Sequence, residues 1–161
     1  MPHTAVTMSR TATGWTGDED TLHDVEDLDS LADSLHVGPG TTSVVFIEED
    51  DEWLGIVRVT DDLDPRVFLS DRRVLETSDL AQRLFADALP VVPPPTPEDD
   101  DDTPRPAAEA IGDTDLLADL GTSGDVLIEL CAEEGLLPSD VLSALCERAG
   151  CLDVLDQIRV V

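Results

Sequence analysis

Residues 44–59 read VVFIEEDDEWLGIVRV, and this stretch decides the fold of the first half of the chain. Two largely apolar runs, 44–47 and 53–59, are separated by the acidic residues 48–52. Apolar runs bounded by a short polar turn are typical of paired strands, so the stretch predicts an antiparallel hairpin. Because residues 44–47 are apolar at every position, we expect that strand to lie centrally in its sheet.

The flanking segments extend this hairpin into a larger antiparallel sheet. Residues 66–70 form a third strand-like run after a short connection, which predicts a three-stranded meander. Weak alternation over residues 4–9, followed by a restart at 14–16, predicts an N-terminal hairpin. Apolar residues at spacings of three and four over 25–35 and 79–89 indicate two amphipathic helices. The expected fold class is therefore α+β.

A segment rich in proline and aspartate, residues 90–110, follows the predicted sheet. Prolines lack a backbone donor and neighbouring acids repel one another, so this composition predicts a disordered acidic linker. Beyond it, leucines at helical spacing over 111–161 predict a small C-terminal helical bundle. Thr122 is the expected N-cap of one of its helices, and Pro138 suits the first turn of another. The predicted domains are thus 1–89, 90–110 and 111–161.

The charge of the chain excludes several classes of function. It has 37 acidic residues against nine arginines and no lysine, and its net charge is −28. Without a basic stripe, direct binding of nucleic acid is not expected. Repulsion also disfavours an anionic membrane surface. No apolar run approaches the roughly 20 residues of a spanning helix, and the N-terminus lacks a signal-peptide pattern, so the expected location is the cytoplasm.

The sequence lacks the motifs of catalysis and of cofactor binding. None of its three histidines begins the His-x-Glu motif of a zinc deaminase. Cys131, Cys146 and Cys151 do not form a Cys-x-x-Cys pair, so they are expected to be reduced thiols on helix faces. A redox pair or a metal site among them is the alternative. We therefore predict no catalytic residue, no cofactor and no metal site, and a binding protein rather than an enzyme.

The acidity has two alternative explanations. One is a solvated surface from a proteome with acidic bias and a GC-rich genome. The other is a surface that docks on a basic partner, such as a nucleic-acid-binding protein. In the second case the candidate partner-binding residues are two tryptophans, as a docking platform, and the acidic run of the linker. They are Trp15, Trp53, Asp99, Asp100, Asp101 and Asp102. Core packing is the alternative role of the tryptophans.

Seven segments, taken in chain order, have the arrangement of a known family. They are Arg10 with Gly14 and Trp15, then 27–31, 44–53, 65–71, 112–121, 130–135 and 138–142. Over nearly the full chain this arrangement resembles the actinobacterial tRNA adenosine deaminase-associated proteins. That family is named for being encoded beside the deaminase that converts the wobble adenosine of tRNA to inosine. The resemblance implies association with that enzyme, and it carries over no catalytic or binding residue.

The sequence as a whole predicts a non-catalytic, acidic accessory protein that acts by protein–protein binding. The expected partner is a basic protein, and the leading hypothesis is the tRNA adenosine deaminase itself. Neither nucleic acid nor membrane is an expected direct partner, and the oligomeric state is left open. The alternative is a generic cytoplasmic adaptor or interaction module that is unrelated to tRNA modification.

Overall fold

The computed structural model describes residues 3–11, 14–20, 27–34, 41–49, 53–60, 65–71, 74–85, 110–132 and 137–160. These residues form one six-stranded sheet with helices on both faces, so the α+β prediction is confirmed. The strands are β1 His3–Thr11, β2 Gly14–Asp20, β3 Thr42–Glu49, β4 Trp53–Thr60, β5 Arg66–Leu69 and β6 Ile111–Gly112. The helices are α1 Leu28–Ser34, α2 Val74–Thr77, α3 Asp79–Phe85, α4 Gly124–Ala132, α5 Pro138–Ala149 and α6 Leu152–Val160. A 3-10 turn at Ala118–Leu120 precedes α4.

Every neighbouring pair of strands in the sheet is antiparallel, and the strand order is β2-β1-β3-β4-β5-β6. The expected hairpin is β1–β2 and the expected meander is β3–β4–β5, and β1 pairs with β3 to join them. The edge strand β6 pairs with β5, with Gly112 opposite Phe68. The strand β6 has only two residues, which is too short to show a strand periodicity in the sequence. The sequence analysis therefore did not predict it.

The central strands are buried on both faces, as the run at 44–47 predicted. Side chains of strands alternate between the two faces, so neighbouring residues enter different cores. Val45 and Ile47 contribute to a first core, which α1, α2 and α3 cover. Val44 and Phe46 contribute to a second core, which the elements after β6 cover. The sheet is therefore enclosed between two helical layers.

Residues after the expected linker close the second face of the sheet. The helix α6 lies against β2 at Gly17, where an added Cβ would come within 2.6 Å of Val154 and 2.8 Å of Ile158. The indole Nε1 of Trp15 donates a hydrogen bond to the carbonyl of Ala149, at 3.2 Å. Except for residue 110, the expected linker lies outside the described residues. The division into separate domains therefore stays a prediction.

The helix ends follow the expected chemistry, with one correction. The N–H of Val126 at the start of α4 donates to the hydroxyl of Ser123, at 3.4 Å. The predicted capping residue, Thr122, is instead buried, at 1% exposure. Pro138 occupies the first turn of α5 as predicted. Gly150 ends that helix with φ +84°, a left-handed conformation that glycine adopts without strain.

Candidate partner-binding surface

Two arginines on neighbouring strands hold the turn before α4 against the sheet. Arg58 of β4 and Arg66 of β5 occupy directly paired positions, where like charges repel. Each is matched by an aspartate from the segment after β6. The two terminal nitrogens of Arg58 donate to the two carboxylate oxygens of Asp119, at 2.5 and 2.8 Å. The Nε of Arg66 donates to Asp113 Oδ2, at 2.5 Å. These ion pairs fasten the second helical layer to the sheet.

The ion pairs keep both aspartates charged. A hydrogen bond from Arg66 holds the pKa of Asp113 below its usual value of 3.8. A hydrogen bond from Arg58 lowers the pKa of Asp119 in the same way. The buried Arg58 guanidinium also donates to the carbonyl of Leu116, at 2.6 Å. This arginine is therefore committed to the fold rather than available to a ligand.

Trp53, one of the predicted partner contacts, lies in the first core with 1% exposure. Its ring meets the edge of Phe85, with ring centroids 6.0 Å apart and planes at 87°. Its Nε1 donates to Glu49 Oε1 at 3.2 Å, and the hydroxyl of Ser78 donates to the same oxygen at 2.7 Å. In this structure Trp53 packs in the core, which is the alternative role that the sequence analysis gave for the tryptophans. A partner contact would require the side chain to leave the core.

Trp15, the second predicted tryptophan, is half-buried on β2. The Arg10 guanidinium carbon lies 6.0 Å from the centre of its ring, within the range of a cation–π contact. The ring also borders a small apolar pocket between the sheet and α5, with room for about one water molecule. Trp15 thus joins the sheet to the second helical layer and stays partly exposed.

The four aspartates 99–102 lie outside the described residues, so their role as partner contacts stays a prediction. The described residues instead show an acidic surface that the sequence analysis did not single out. Exposed carboxylates occur in the turn before α4 and on the helices α4, α5 and α6. We call these residues the acidic helical face: Asp115, Asp125, Glu129, Asp140, Glu147, Asp153 and Asp156. Its signal in the sequence is the acidic residues that alternate with the core leucines of 111–161.

The thiols belong to the second helical layer. Cys146 and Cys151 are buried at the junction of α5 and α6, and a hydrogen bond from the Cys146 thiol lowers the pKa of Cys151. Burial raises the pKa of Cys131 to about 12, so its thiol is protonated at neutral pH. Within the described ranges, no group of three or more His, Cys, Asp or Glu side chains is arranged to hold a metal ion.

The fold and these surfaces define a mixed α+β protein with a sheet between two helical layers and exposed carboxylates along the second of them. The chain belongs to the Rv3753c-like tRNA adenosine deaminase-associated protein family, whose family model matches residues 3–152. The resemblance seen in the sequence is thereby confirmed. No curated protein and no solved structure matches the chain at significant similarity. None of the helices in the described part of the chain has the length and apolar character needed to cross a membrane.

Proposed function

We propose that the protein is a non-catalytic accessory protein of the cytoplasm that binds the tRNA adenosine deaminase through its acidic helical face. The observation that carries this proposal is the fixed array of exposed carboxylates on α4, α5 and α6. The family name supports the choice of partner, because it records association with that deaminase. An enzyme that binds tRNA presents positive charge to the phosphates, and the acidic helical face is complementary to such a surface.

The use of the polar side chains inside the fold supports a binding role rather than a catalytic one. Arg58 is hydrogen-bonded to Asp119, and Arg66 to Asp113, across the join between sheet and helices. Glu49 accepts hydrogen bonds from the side chains of Trp53 and Ser78. Groups committed in this way stabilise the structure and are not free to move a proton at a substrate.

The position of the exposed acids on packed helices supports docking by electrostatic complementarity. Leu127 of α4, Leu145 of α5 and Leu155 of α6 enter the second core, so the three helices are anchored to one sheet. Their exposed carboxylates therefore keep fixed mutual positions, which a flexible linker does not provide. Attraction between such a surface and a basic one accelerates association by steering the encounter.

The proposal is tested by mixing the purified full chain with the tRNA adenosine deaminase of the same organism. A complex is expected at low salt, and its affinity should fall as salt rises, since screening at physiological ionic strength acts beyond roughly 8 Å. Saturating tRNA should displace the protein from the enzyme. Deamination of tRNA should slow as the protein is added and recover with more tRNA.

Two results would contradict the proposal. The first is the lack of any complex at low salt, where electrostatic attraction is strongest. The second is a complex that forms equally well with saturating tRNA present. That result would place the contact away from the tRNA-binding surface and would leave the acidic helical face without a role in binding.

A further inference from the structure

The strand β2 forms one outer edge of the sheet. Within the described residues its strand neighbour is β1, and all seven residues of β2 pair with β1 except where the ladder ends at residue 14. The edge strand at the opposite end of the sheet, β6, has only two residues. An edge strand presents unpaired backbone N–H and C=O groups, on which another strand can add. In the described part of the chain, β2 is therefore the long open edge of the sheet.

The hydrogen-bond pattern of the sheet shows which backbone groups of β2 point outward. At the end of the β4–β5 ladder, the N–H of Ser70 donates to the carbonyl of Leu54, at 2.9 Å. Hydrogen-bonded and non-bonded pairs alternate along antiparallel strands, and the registers from β5 to β2 contain no bulge. Carried across the sheet, this alternation turns the N–H and C=O groups of Trp15, Gly17 and Glu19 outward. The residues between them bond to β1.

The helix α6 lies over this edge of the sheet. It contacts β2, whereas α5 contacts β3 and β4. At the centre of β2, the half-buried side chains of Val154 and Ile158 cover Gly17. An added strand lies about 4.8 Å from its neighbour. A strand added to β2 would therefore lie close to two partly exposed apolar side chains at its centre.

The second half of β2 is negatively charged. The strand reads GWTGDED, so the acidic residues 18–20 follow four uncharged ones. Glu19 is exposed, and so are Asp153 and Asp156 of the acidic helical face on the neighbouring α6. Natural edge strands carry charges that repel strands of like charge. The sign of the charge here selects a positive strand.

We propose that the outer edge of β2 binds an extended basic segment of the partner protein as a seventh strand. The backbone of that segment would exchange hydrogen bonds with Trp15, Gly17 and Glu19. Its arginines or lysines would lie opposite residues 18–20, where opposite charges favour the pairing. The inference rests on the proposed function and adds a backbone contact beside the acidic helical face.

Charge favours this occupant over two that the chain itself could supply. Residues 86–109 carry seven acidic residues and one arginine, so the acids of β2 repel that segment. A second copy of the chain brings a net charge of −28, and its own residues 18–20, to the same edge. Complementarity to these acids requires a positive strand, and neither the linker nor another copy is positive.

The first test compares two substitutions of Glu19 by titration calorimetry of the full chain with the tRNA adenosine deaminase. Glu19→Pro removes the outward N–H and blocks an added strand, but it removes no hydrogen bond to β1. Glu19→Ala is the matched control, because it removes the same carboxylate and keeps the N–H. The proline variant should bind about tenfold more weakly than the alanine variant. Equal binding of the two would overturn the inference and leave the proposed function standing.

Amide hydrogen exchange of the wild type, followed by NMR, tests the contact without any substitution. In the free protein the outward amides of Trp15, Gly17 and Glu19 should exchange rapidly, whereas the amide of Thr16, bonded to β1, should exchange slowly. Binding of the deaminase should slow the three outward amides about tenfold or more and leave Thr16 slow. A complex in which the three amides still exchange rapidly would overturn the inference.

A peptide probe separates failure of this inference from failure of the proposed function. If the wild type does not bind the deaminase, the probe is a synthetic peptide of about nine alternating arginine and valine residues. It should slow the same three amides, and the matching glutamate–valine peptide should not. Failure of the arginine–valine peptide to bind, or binding that leaves the amides rapid, would overturn the inference.

Slow exchange of the three outward amides in the free chain would also overturn the inference, because the edge would then be occupied already. If the slow exchange depended on protein concentration, a second copy would be the occupant. If it did not, a segment of the chain itself would be.

Discussion

Arg58 and Asp119 form a two-bond ion pair that joins the centre of the sheet to the turn before α4, with nitrogen–oxygen distances of 2.5 and 2.8 Å. The arginine side chain is 7% exposed and the aspartate side chain is 62% exposed. Removing either partner therefore has a different effect on the free energy of unfolding. Loss of the aspartate leaves the positive charge of Arg58 buried without its partner, which strongly destabilises the fold.

Asp119→Ala should therefore lower the free energy of unfolding by about 2 kcal/mol, less than for a fully buried pair because water reaches the carboxylate. Asp156→Asn, on an exposed position of α6, is the control and should change it by less than about 0.5 kcal/mol. Urea unfolding followed by circular dichroism measures both. Equal effects of the two variants would show that the ion pair contributes nothing.

The same ion pairs predict a dependence of stability on pH. The folded-state pKa values of Asp113 and Asp119 lie below their usual value of 3.8, so both carboxylates release protons more readily in the folded state. Their contribution is present above pH 3.8 and is lost as the pH falls through the folded-state pKa.

The measurement compares the wild type with the double variant Asp113→Asn, Asp119→Asn. The gap between their free energies of unfolding should be constant at neutral pH and should close in strong acid. Comparing the two proteins at each pH largely cancels the repulsion among the remaining acids, which also changes with pH. A gap that persists in acid would mean that the stabilisation does not come from the charged forms.

Periodicity predicted the sheet better than it predicted the layers. Apolar runs in the sequence predicted the strands β3, β4 and β5. The position of Gly150 after a helical pattern predicted the end of α5. The run at 44–47 also implied that both faces are covered, but sequence spacing does not say which helices cover each face. Packing of α5 and α6 on the second face depends on contacts between residues such as Trp15 and Ala149, which lie far apart in the chain.

The candidate surface was only partly predictable for the same reason. Trp53 and Trp15 are the same residue type, and only the three-dimensional context places one at 1% exposure and leaves the other half-buried. The acids of α4, α5 and α6 are visible in the sequence as polar positions. Their arrangement in space depends on how the helices lie on the sheet. The role of Arg58 could not be predicted, because the sequence does not indicate which carboxylate pairs with an arginine in an apolar strand.

Limited proteolysis tests how the two parts of the chain hold together. Glu98 and Glu109 lie between residues 86 and 109, so endoproteinase Glu-C should cut the chain there first. Glu48 and Glu49 should resist because they lie in β3, which is paired with β1 and β4. The nicked protein should still elute as one species in size exclusion, because β6 pairs with β5 and Trp15 is bonded to Ala149. Earlier cleavage at Glu48 or Glu49, or separate elution of the fragments, would contradict this expectation.

Cysteine labelling tests the packing of the second helical layer. At pH 8 a thiol with a pKa of about 12 is ionised in roughly one molecule in 10,000, so Cys131 should react slowly with iodoacetamide. Cys146 should also react slowly because it is buried. Mass spectrometry of native and denatured protein gives the rate at each site. Rapid labelling of both in the native protein would show that the inner sides of α4 and α5 are open.

The last prediction separates the acidic linker from the acidic helical face by kinetics. Changing the aspartates at 99–102 to serine should lower the association rate with the deaminase and leave the dissociation rate nearly unchanged. Charges outside the contact steer the encounter but are not buried in the complex.

The double variant Asp125→Asn, Glu129→Gln on α4 should instead raise the dissociation rate, because carboxylates inside the contact pair with the partner once the complex has formed. Biolayer interferometry with immobilised deaminase measures both rates across a salt series, and the linker variant should show a flatter salt dependence of association than the wild type. If the linker variant raised the dissociation rate as much as the α4 variant does, residues 99–102 would be direct contacts, and the binding surface would extend beyond the helical layer.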